Sequence, residues 1–338
     1  MAHRRDDETR RVRIATRGSA LAMAQSRLVA GLCRDADGRL EVGLQVIKTT
    51  GDRMQAASWR ASGQTLPKGL FTKELEVALI EGEADLAVHS LKDLPTELPD
   101  GLRLGGVLLR ADPRDVLVGR RGWDVRCPGG GMEALREGAV VATSSTRRAA
   151  QLRWRRPDIR IVGIRGNVPT RLAKLAATQE FDATLLAAAG LERLGIRLDA
   201  EGRVLEAEDG SVGGWGLELR GRPLDLEEML PAPGQAAIGL EIRKGDRRLL
   251  ALCRRIEDAV SRECVEAERA FLAGFGGGCL SPVAAWARVE GEALRLRAVA
   301  FEGERRWEGT GNAPVSGARR LGRTMGREAR RALARRSG

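Results

Sequence analysis

Short β-like runs alternate with helical patterns along most of this chain. Strand–helix–strand units of that size close as a parallel sheet with right-handed crossovers. VRIAT (12–16) reads as a strand, and Ser19 is placed to cap a helix from about Ala20 to Cys33. EVGLQVIKT (41–49) predicts a second strand, and the polar stretch GDRMQAASWRASGQTLP after it a loop. GLFTKELEVALIEGE (69–83) predicts an amphipathic helix, and DLAVHS (85–90) a strand ending at KDLP. RLGGVLL (103–109) and DVLVG (115–119) flank ADPRD, where the chain is expected to cross between domains. A second alternating block runs GAVVAT (138–143), SSTRRAAQLRW, IRIVGI (159–164), RGNVPTRLAKLAA, DATLLAA (182–188) and GLERLG. AAIGLEIR (236–243) reads as a strand returning to the first domain. After Cys279 the pattern changes to successive strands, PVAAWARVEG and EALRLRAVAF, and a basic helix, which is α+β.

A length of 338 residues suits two or three domains with their own cores. The longest apolar run, ATLLAAAGL (183–191), is far short of the roughly 18 residues of a membrane span, so no membrane partner is expected. The first residues carry no apolar signal core, which predicts a cytoplasmic address. Five cysteines without a C-x-x-C spacing argue against a disulfide framework, and two histidines leave no zinc ligand set, so no metal is expected. A relay from histidine to a nucleophile would have to use His89.

The net charge of +11 favours a polyanionic partner: nucleic acid, anionic lipid or a multiply carboxylated small molecule. Part of the excess sits in the basic run 318–336, which reads as a solvated helix face. Aromatic residues make up 3% of the chain, with no tyrosine, which is poor equipment for stacking bases and disfavours nucleic acid.

TSSTRR (143–148) follows a strand and opens a helix. Free N–H groups, three hydroxyls and two guanidinium groups there make either an anion site or an ordinary serine cap with two exposed arginines. RGNVPTR (165–171) repeats the arrangement after the next strand. Two such places at neighbouring strand ends suit one ligand with several carboxylates or phosphates. In HSLKDLP (89–95), Lys92 and Asp93 would face opposite ways on extended backbone, as an ordinary surface Lys–Asp pair before a proline turn or as an aspartate that holds a cationic intermediate. AGFGGGCLSP (273–282) sets Cys279 behind three glycines, as a small buried hydrophobe or as a covalent attachment point.

IATRGSALAMAQ, KGLFTKELE, AVHSLKDLPTELP, ATSSTRRAAQL, IRGNVPTRL, AAAGLERLG, PAPGQAA, AERAFL and GGGC occur in an order that resembles the porphobilinogen deaminase family. The resemblance implies two hinged α/β domains of periplasmic-binding-protein-like type and a smaller α+β C-terminal domain. The implied boundaries are 1–113 with 236–254, then 114–235 with an added hairpin near 200–222, then 255–338. It implies a transferase that joins four porphobilinogen units head to tail, releases ammonia and yields hydroxymethylbilane for haem synthesis. The primer is a dipyrromethane cofactor held by a thioether, and Cys279 matches its attachment cysteine. Asp93 matches the catalytic carboxylate. Arg17, Ser19, Lys68, Lys92, Thr143, Ser144, Ser145, Arg147, Arg148, Arg165, Arg171 and Arg193 match the residues that bind cofactor and substrate carboxylates. Porphobilinogen and the growing polypyrrole are the implied partners of a monomer that binds no nucleic acid. Three features depart from the family pattern. Gln64 and Leu66-Pro67 precede KGLF, Leu280-Ser281 follows the cysteine, and the segment between GLERLG and LPAPGQ is longer than usual.

Overall fold

The computed structural model describes residues 10–50, 72–120, 131–210, 213–215, 219–278 and 280–334. From the N-terminus come β1 (Arg10–Arg17), α1 (Ala20–Ala36), β2 (Leu40–Ile47), α2 (Lys73–Ile80), β3 (Leu86–Ser90) and β4 (Leu102–Val107). They are followed by β5 (Asp115–Arg120), β6 (Val140–Ala142), α3 (Thr146–Arg155), β7 (Arg160–Val162), α4 (Val168–Ala177) and β8 (Ala183–Ala187). Next are α5 (Ala188–Glu192), β9 (Arg197–Leu198), β10 (Val204–Leu205), β11 (Leu219–Pro223), β12 (Ile238–Arg243) and α6 (Arg247–Ile256). The chain ends with α7 (Ala259–Phe275), β13 (Val283–Glu290), β14 (Ala293–Glu302), β15 (Arg305–Pro314) and α8 (Ala318–Ala334).

Several helices begin where a short polar side chain can take up an orphan N–H of the first turn. The Ser19 hydroxyl accepts from the Ala22 N–H, and the Asn167 side chain accepts from the Thr170 N–H at 2.9 Å. Asp246 does the same for Leu249 at 2.9 Å.

The chain divides into two compact units, Met1–Arg110 with Ile238–Arg262, and Ala111–Ala237 with Glu263–Gly338. In the first, the strand order is β2-β1-β3-β12-β4. The first three strands run parallel, and β12 is antiparallel to both its neighbours. Strand residues of opposite parity feed opposite faces. Val12, Ile14, Leu86 and Val88 meet Val29, Cys33, Leu249 and Cys253 of α1 and α6, while Ala15 and Ala87 meet Leu75, Ala78 and Leu79 of α2. Both faces are therefore apolar, as a covered parallel sheet requires.

The second unit repeats the plan with order β11-β5-β8-β6-β7. Again three strands run parallel, β7, β6 and β8, and a reversed strand, β5, follows. Its core joins Leu117, Val141, Leu152, Ala183 and Leu185. The same unit holds a smaller antiparallel sheet, β13-β14-β15, whose inner side chains pack on α7 and α8 through Phe271, Leu296, Ala298 and Met325. This is the expected α/β class with a smaller α+β part at the C-terminus. Among the described residues, no helix is long and apolar enough to cross a membrane.

The added hairpin takes a different form from the one expected. Among the described residues, no ladder joins RVLEAE to WGLELRG. β10 pairs with β9, and β11 runs antiparallel to β5 in the main sheet over Leu219–Pro223. Among the described residues, the two stretches share one isolated bridge, Arg203 to Arg220, and the bonds of Trp215, whose Nε1 donates to the Val204 carbonyl at 3.3 Å and whose N–H donates to Glu206 at 3.1 Å. The open edge of β5 offers five register partners where the hairpin would keep one, so the main sheet takes the strand.

Helices α7 and α8 approach through glycines. A Cβ on Gly322 would fall on the Ala267 carbonyl, and one on Gly326 on the Phe271 carbonyl. Backbone cannot yield as a side-chain tip does, so overpacking here is costly. Gly322→Val is expected to lower stability by about 2–3 kcal/mol in urea unfolding. A midpoint equal to the parent's would show that the helices are not in such close contact.

Candidate functional site

In the first unit, the candidate residues gather where β1 and β3 end. Arg17 is the last residue of β1 and is half-buried; Ser19 caps α1. Past β3 the chain turns through a single 3₁₀ turn, Leu91–Asp93, closed by the Leu94 N–H on the Leu91 carbonyl at 3.2 Å. Lys92 and Asp93 are thus not on extended backbone. Leu91 and Leu94, 0% and 2% exposed, point into the core and impose the turn. That leaves Lys92 half-buried and Asp93 exposed between two anchors. Ser90, just before the turn, exchanges hydrogen bonds with Gln25 of α1. Lys68, Gln64 and Leu66-Pro67 lie outside the described residues.

His89 does not serve a nucleophile. Its Nε2 is 2.8 Å from Glu241 Oε2 of β12, and both side chains are buried on the face of the sheet that α2 covers. Burial pushes the Glu76 carboxyl of α2 up, and the nearby Glu241 charge adds to the rise. The unit thus carries an interior imidazole–carboxylate pair beneath the strand that leads to Asp93.

In the second unit, Thr143, Ser144 and Ser145 link β6 to α3. The Thr143 N–H donates to the Val162 carbonyl at 2.8 Å, and its hydroxyl accepts from the Ser145 N–H at 3.1 Å. The Ser144 hydroxyl donates to the Ile164 carbonyl at 2.8 Å and accepts from the Ile164 N–H at 3.1 Å, tying together the loops that follow β6 and β7. Ser145 caps α3, accepting from the Arg148 N–H. These hydroxyls are spent on scaffold, which is the serine-cap alternative. After β7, Arg165 is exposed, and Arg171 donates from Nε to the Gly166 carbonyl at 2.8 Å. Arg193 donates to the Ala236 carbonyl, and burial lowers its pKa. Ala236 is held at φ 70°, a strained value for a residue with a Cβ.

Arg147 and Arg148 are not exposed; they are 4% and 5% accessible and converge on Asp115, which is 0% accessible. Asp115 Oδ2 accepts from Arg147 Nη1 at 2.7 Å, and Oδ1 accepts from Arg148 Nη2 at 2.7 Å and Nε at 3.2 Å. Gln235 Nε2 adds a bond to Oδ1 at 3.0 Å. Arg147 also donates to the Leu230 carbonyl and Arg148 to the Leu185 carbonyl, each at 2.7 Å. The Arg147 Nε–H, also buried, has no acceptor among the described residues. No sequence signal joined Asp115 to the arginine pair; an acid opening an apolar strand was the only hint. Two guanidinium groups and one carboxylate leave an excess positive charge and an unused donor, which is what a ligand carboxylate needs.

Cys279 lies outside the described residues. On either side of it, the Ser281 hydroxyl accepts from the Gly278 N–H at 3.0 Å, and the Leu280 carbonyl accepts from the Thr146 hydroxyl at 2.7 Å. A Cβ on Gly277 would fall on the Ser281 hydroxyl, whereas one on Gly278 would meet open space. Cys33, Cys253 and Cys264 are buried, and burial pushes the Cys33 thiol up to about 11 and the Cys253 thiol up to about 12. These two are core residues with no thiolate chemistry at neutral pH. Among the described residues there is no cluster able to hold a metal ion.

Burial pushes the Asp115 carboxyl up, but the Arg147 and Arg148 charges overcome this and hold it well below the usual carboxylate range. A depressed folded-state pKa contributes stability above the unfolded value, about 3.9, and the contribution is lost as pH falls towards the folded value. The urea midpoints of the parent and Asp115→Asn should therefore differ by a constant amount from pH 7 to about 5, and the difference should shrink progressively as pH falls below about 4. A difference that stays constant down to about pH 2 would mean that the carboxyl is not depressed.

Two family models match the chain: "Porphobilinogen deaminase, dipyromethane cofactor binding domain" over residues 12–251, and "Porphobilinogen deaminase, C-terminal domain" over residues 262–331. A porphobilinogen deaminase of Pelotomaculum thermopropionicum is 44% identical over 290 residues, 86% of this chain and 83% of its own length. One of Thermus thermophilus is 45% identical over 287 residues, 85% of this chain and 83% of its own. Among solved structures, the periplasmic VFT2 domain of Bordetella pertussis BvgS is 18% identical with a TM-score of 0.40, over 73% of this chain and 86% of that one. The chain belongs to the porphobilinogen deaminase family.

Proposed function

We propose that this chain joins four porphobilinogen units head to tail, releasing ammonia, on a dipyrromethane primer carried by Cys279, and then hydrolyses the product to hydroxymethylbilane. It is in this sense a transferase, and acts as a cytoplasmic monomer without nucleic acid. The observation that carries this is the buried Asp115–Arg147–Arg148 cluster, with its excess positive charge and the unpaired Arg147 Nε–H, inside the region matched by the dipyrromethane-binding model. Each pyrrole of such a chain brings an acetate and a propionate, so the cluster suits the group.

When bound, the dipyrromethane supplies the pyrrole α-carbon on which the chain grows. The protein's part is to hold carboxylates and to stabilise charge. Arg17, Ser19, Lys68, Lys92, Thr143, Ser144, Ser145, Arg147, Arg148, Arg165, Arg171 and Arg193 are the proposed carboxylate-binding set. For Thr143, Ser144 and Ser145, backbone N–H groups at the start of α3 suit this role better than the hydroxyls, which already serve the scaffold. Asp93 is the proposed catalytic carboxylate. About 4 Å from a unit positive charge, at an effective dielectric near 20, it contributes about 4 kcal/mol. That is about a thousandfold in rate if the charge develops only in the transition state.

Intact-mass spectrometry of the purified chain is expected to show an adduct of two porphobilinogen units less two ammonia, lost in Cys279→Ala. A native mass equal to the translated sequence in a chain that consumes porphobilinogen would refute the primer. Asp93→Asn is expected to keep the adduct and the fold while turnover falls at least about a hundredfold. Turnover within a few-fold of the parent would remove Asp93 from the chemistry.

A further inference from the structure

Arg147 and Arg148 are adjacent in the first turn of α3, so their side chains leave the helix about 100° apart and would not share one target unaided. Asp115 brings them together. Its Oδ2 takes Arg147 and its Oδ1 takes Arg148, so one carboxylate fixes the planes of both guanidinium groups. Of the other donors, one on each arginine is held by backbone, the carbonyls of Leu230 and Leu185, and Arg147 Nη2 reaches Gln235 Oε1 at 3.5 Å. Gln235, itself 0% exposed, locks the carboxylate by donating to Oδ1 at 3.0 Å and to the Pro113 carbonyl at 2.8 Å. The other buried acid of this unit, Glu268, accepts from the Gly234 and Ala287 N–H groups, each at 2.8 Å, and is not among the ion pairs of the arginines.

The charge count matters as much as the geometry. A second acid would neutralise the pair and make it a closed structural network. No acid would leave two like charges side by side in the interior. One acid leaves a single positive charge, and the Arg147 Nε–H remains as a buried donor with no acceptor among the described residues.

We propose that Asp115 is a positioning residue for ligand binding, aligning Arg147 and Arg148 and holding their joint charge at one excess cation so that they accept a single ligand carboxylate. The proposal rests on the reading that the two arginines serve the carboxylates of the polypyrrole. Asp115 itself touches no ligand in this scheme; it acts through the arginines.

The test is Asp115→Asn in the full chain, which keeps the shape and removes the charge, with Asp115→Glu as the charge-conserving partner and Arg148→Leu as control. Three quantities are read on the folded fraction: cofactor loading by intact mass, thermal midpoint, and KM against kcat for porphobilinogen. Asp115→Asn is expected to cut loading at least tenfold, and Asp115→Glu to restore it to at least half that of the parent. Folded Asp115→Asn that loads like the parent overturns the proposal, even if its midpoint drops, because a purely structural carboxylate would behave in that way. If Asp115→Asn does not fold, Asp115→Glu decides. Because Asp115→Glu keeps the charge but displaces the carboxylate by one methylene, a KM raised several-fold with kcat within about twofold in that variant supports positioning, and an unchanged KM overturns it. Arg148→Leu separates the two levels. Parent-like loading in that variant removes the underlying reading, whereas lost loading there beside normal loading in Asp115→Asn removes only the role of Asp115.

Discussion

Much of the second unit is tied to one carboxylate. Asp115 opens β5 with no exposed surface and accepts from both guanidinium groups of α3 and from the amide of Gln235. Through Arg148 the same cluster reaches the carbonyl of Leu185 in β8, and through Arg147 the carbonyl of Leu230. Two strands, a helix and the 230–235 segment are thereby fixed around a group that burial alone would neutralise. Desolvating a carboxylate costs several kcal/mol, and only close, well-oriented cations offset it. The arrangement is over-supplied with cation by one charge. That imbalance, next to a row of strand ends, is what the proposed carboxylate-binding role draws on.

The first unit repeats the sheet order but solves its polar interior differently. Its most buried acid, Glu241, faces an imidazole, with no arginine pair among its bonds in the described residues. Asp93, by contrast, is exposed. It sits on a turn whose two neighbouring leucines are packed beneath it, so its backbone is fixed while its side chain faces outward. One unit thus fixes cations in its interior, and the other presents an anion from its surface.

Periodicity made the elements legible because both units use buried parallel strands joined by amphipathic helices, several of them opened by a capping residue. The strands at 12–16, 85–90 and 115–119 and the helices after Ser19, Ser145 and Asn167 follow that rule closely. Pairing was less legible. WGLELRG joined the main sheet because an open edge beside β5 outcompeted a short hairpin, a tertiary effect that no local pattern encodes. Lys92 and Asp93 looked extended, since nothing in KDLP reveals that Leu91 and Leu94 will both be buried. The motif TSSTRR correctly marked a helix start rich in cations. It could not show that the arginines turn inward, because their partner lies 32 and 33 residues away across a strand.

The glycine run before Cys279 shows how a local departure can be absorbed. Bare backbone there suggested room for a bulky attached group, but Gly277 is already demanded by the turn, whose Ser281 hydroxyl occupies the space of a Cβ. Only Gly278 faces open space. The serine that replaces the expected residue after Leu280 is thus not idle. Its hydroxyl takes up the Gly278 N–H, and the preceding carbonyl is held by Thr146 at the start of α3. Thr146 is followed directly by Arg147 and Arg148. The residues flanking the proposed attachment cysteine and the arginines proposed to receive its carboxylates therefore share one helix terminus as their reference point. Rigid placement of both on a single element limits the conformations a tethered anion must search before its charge is met.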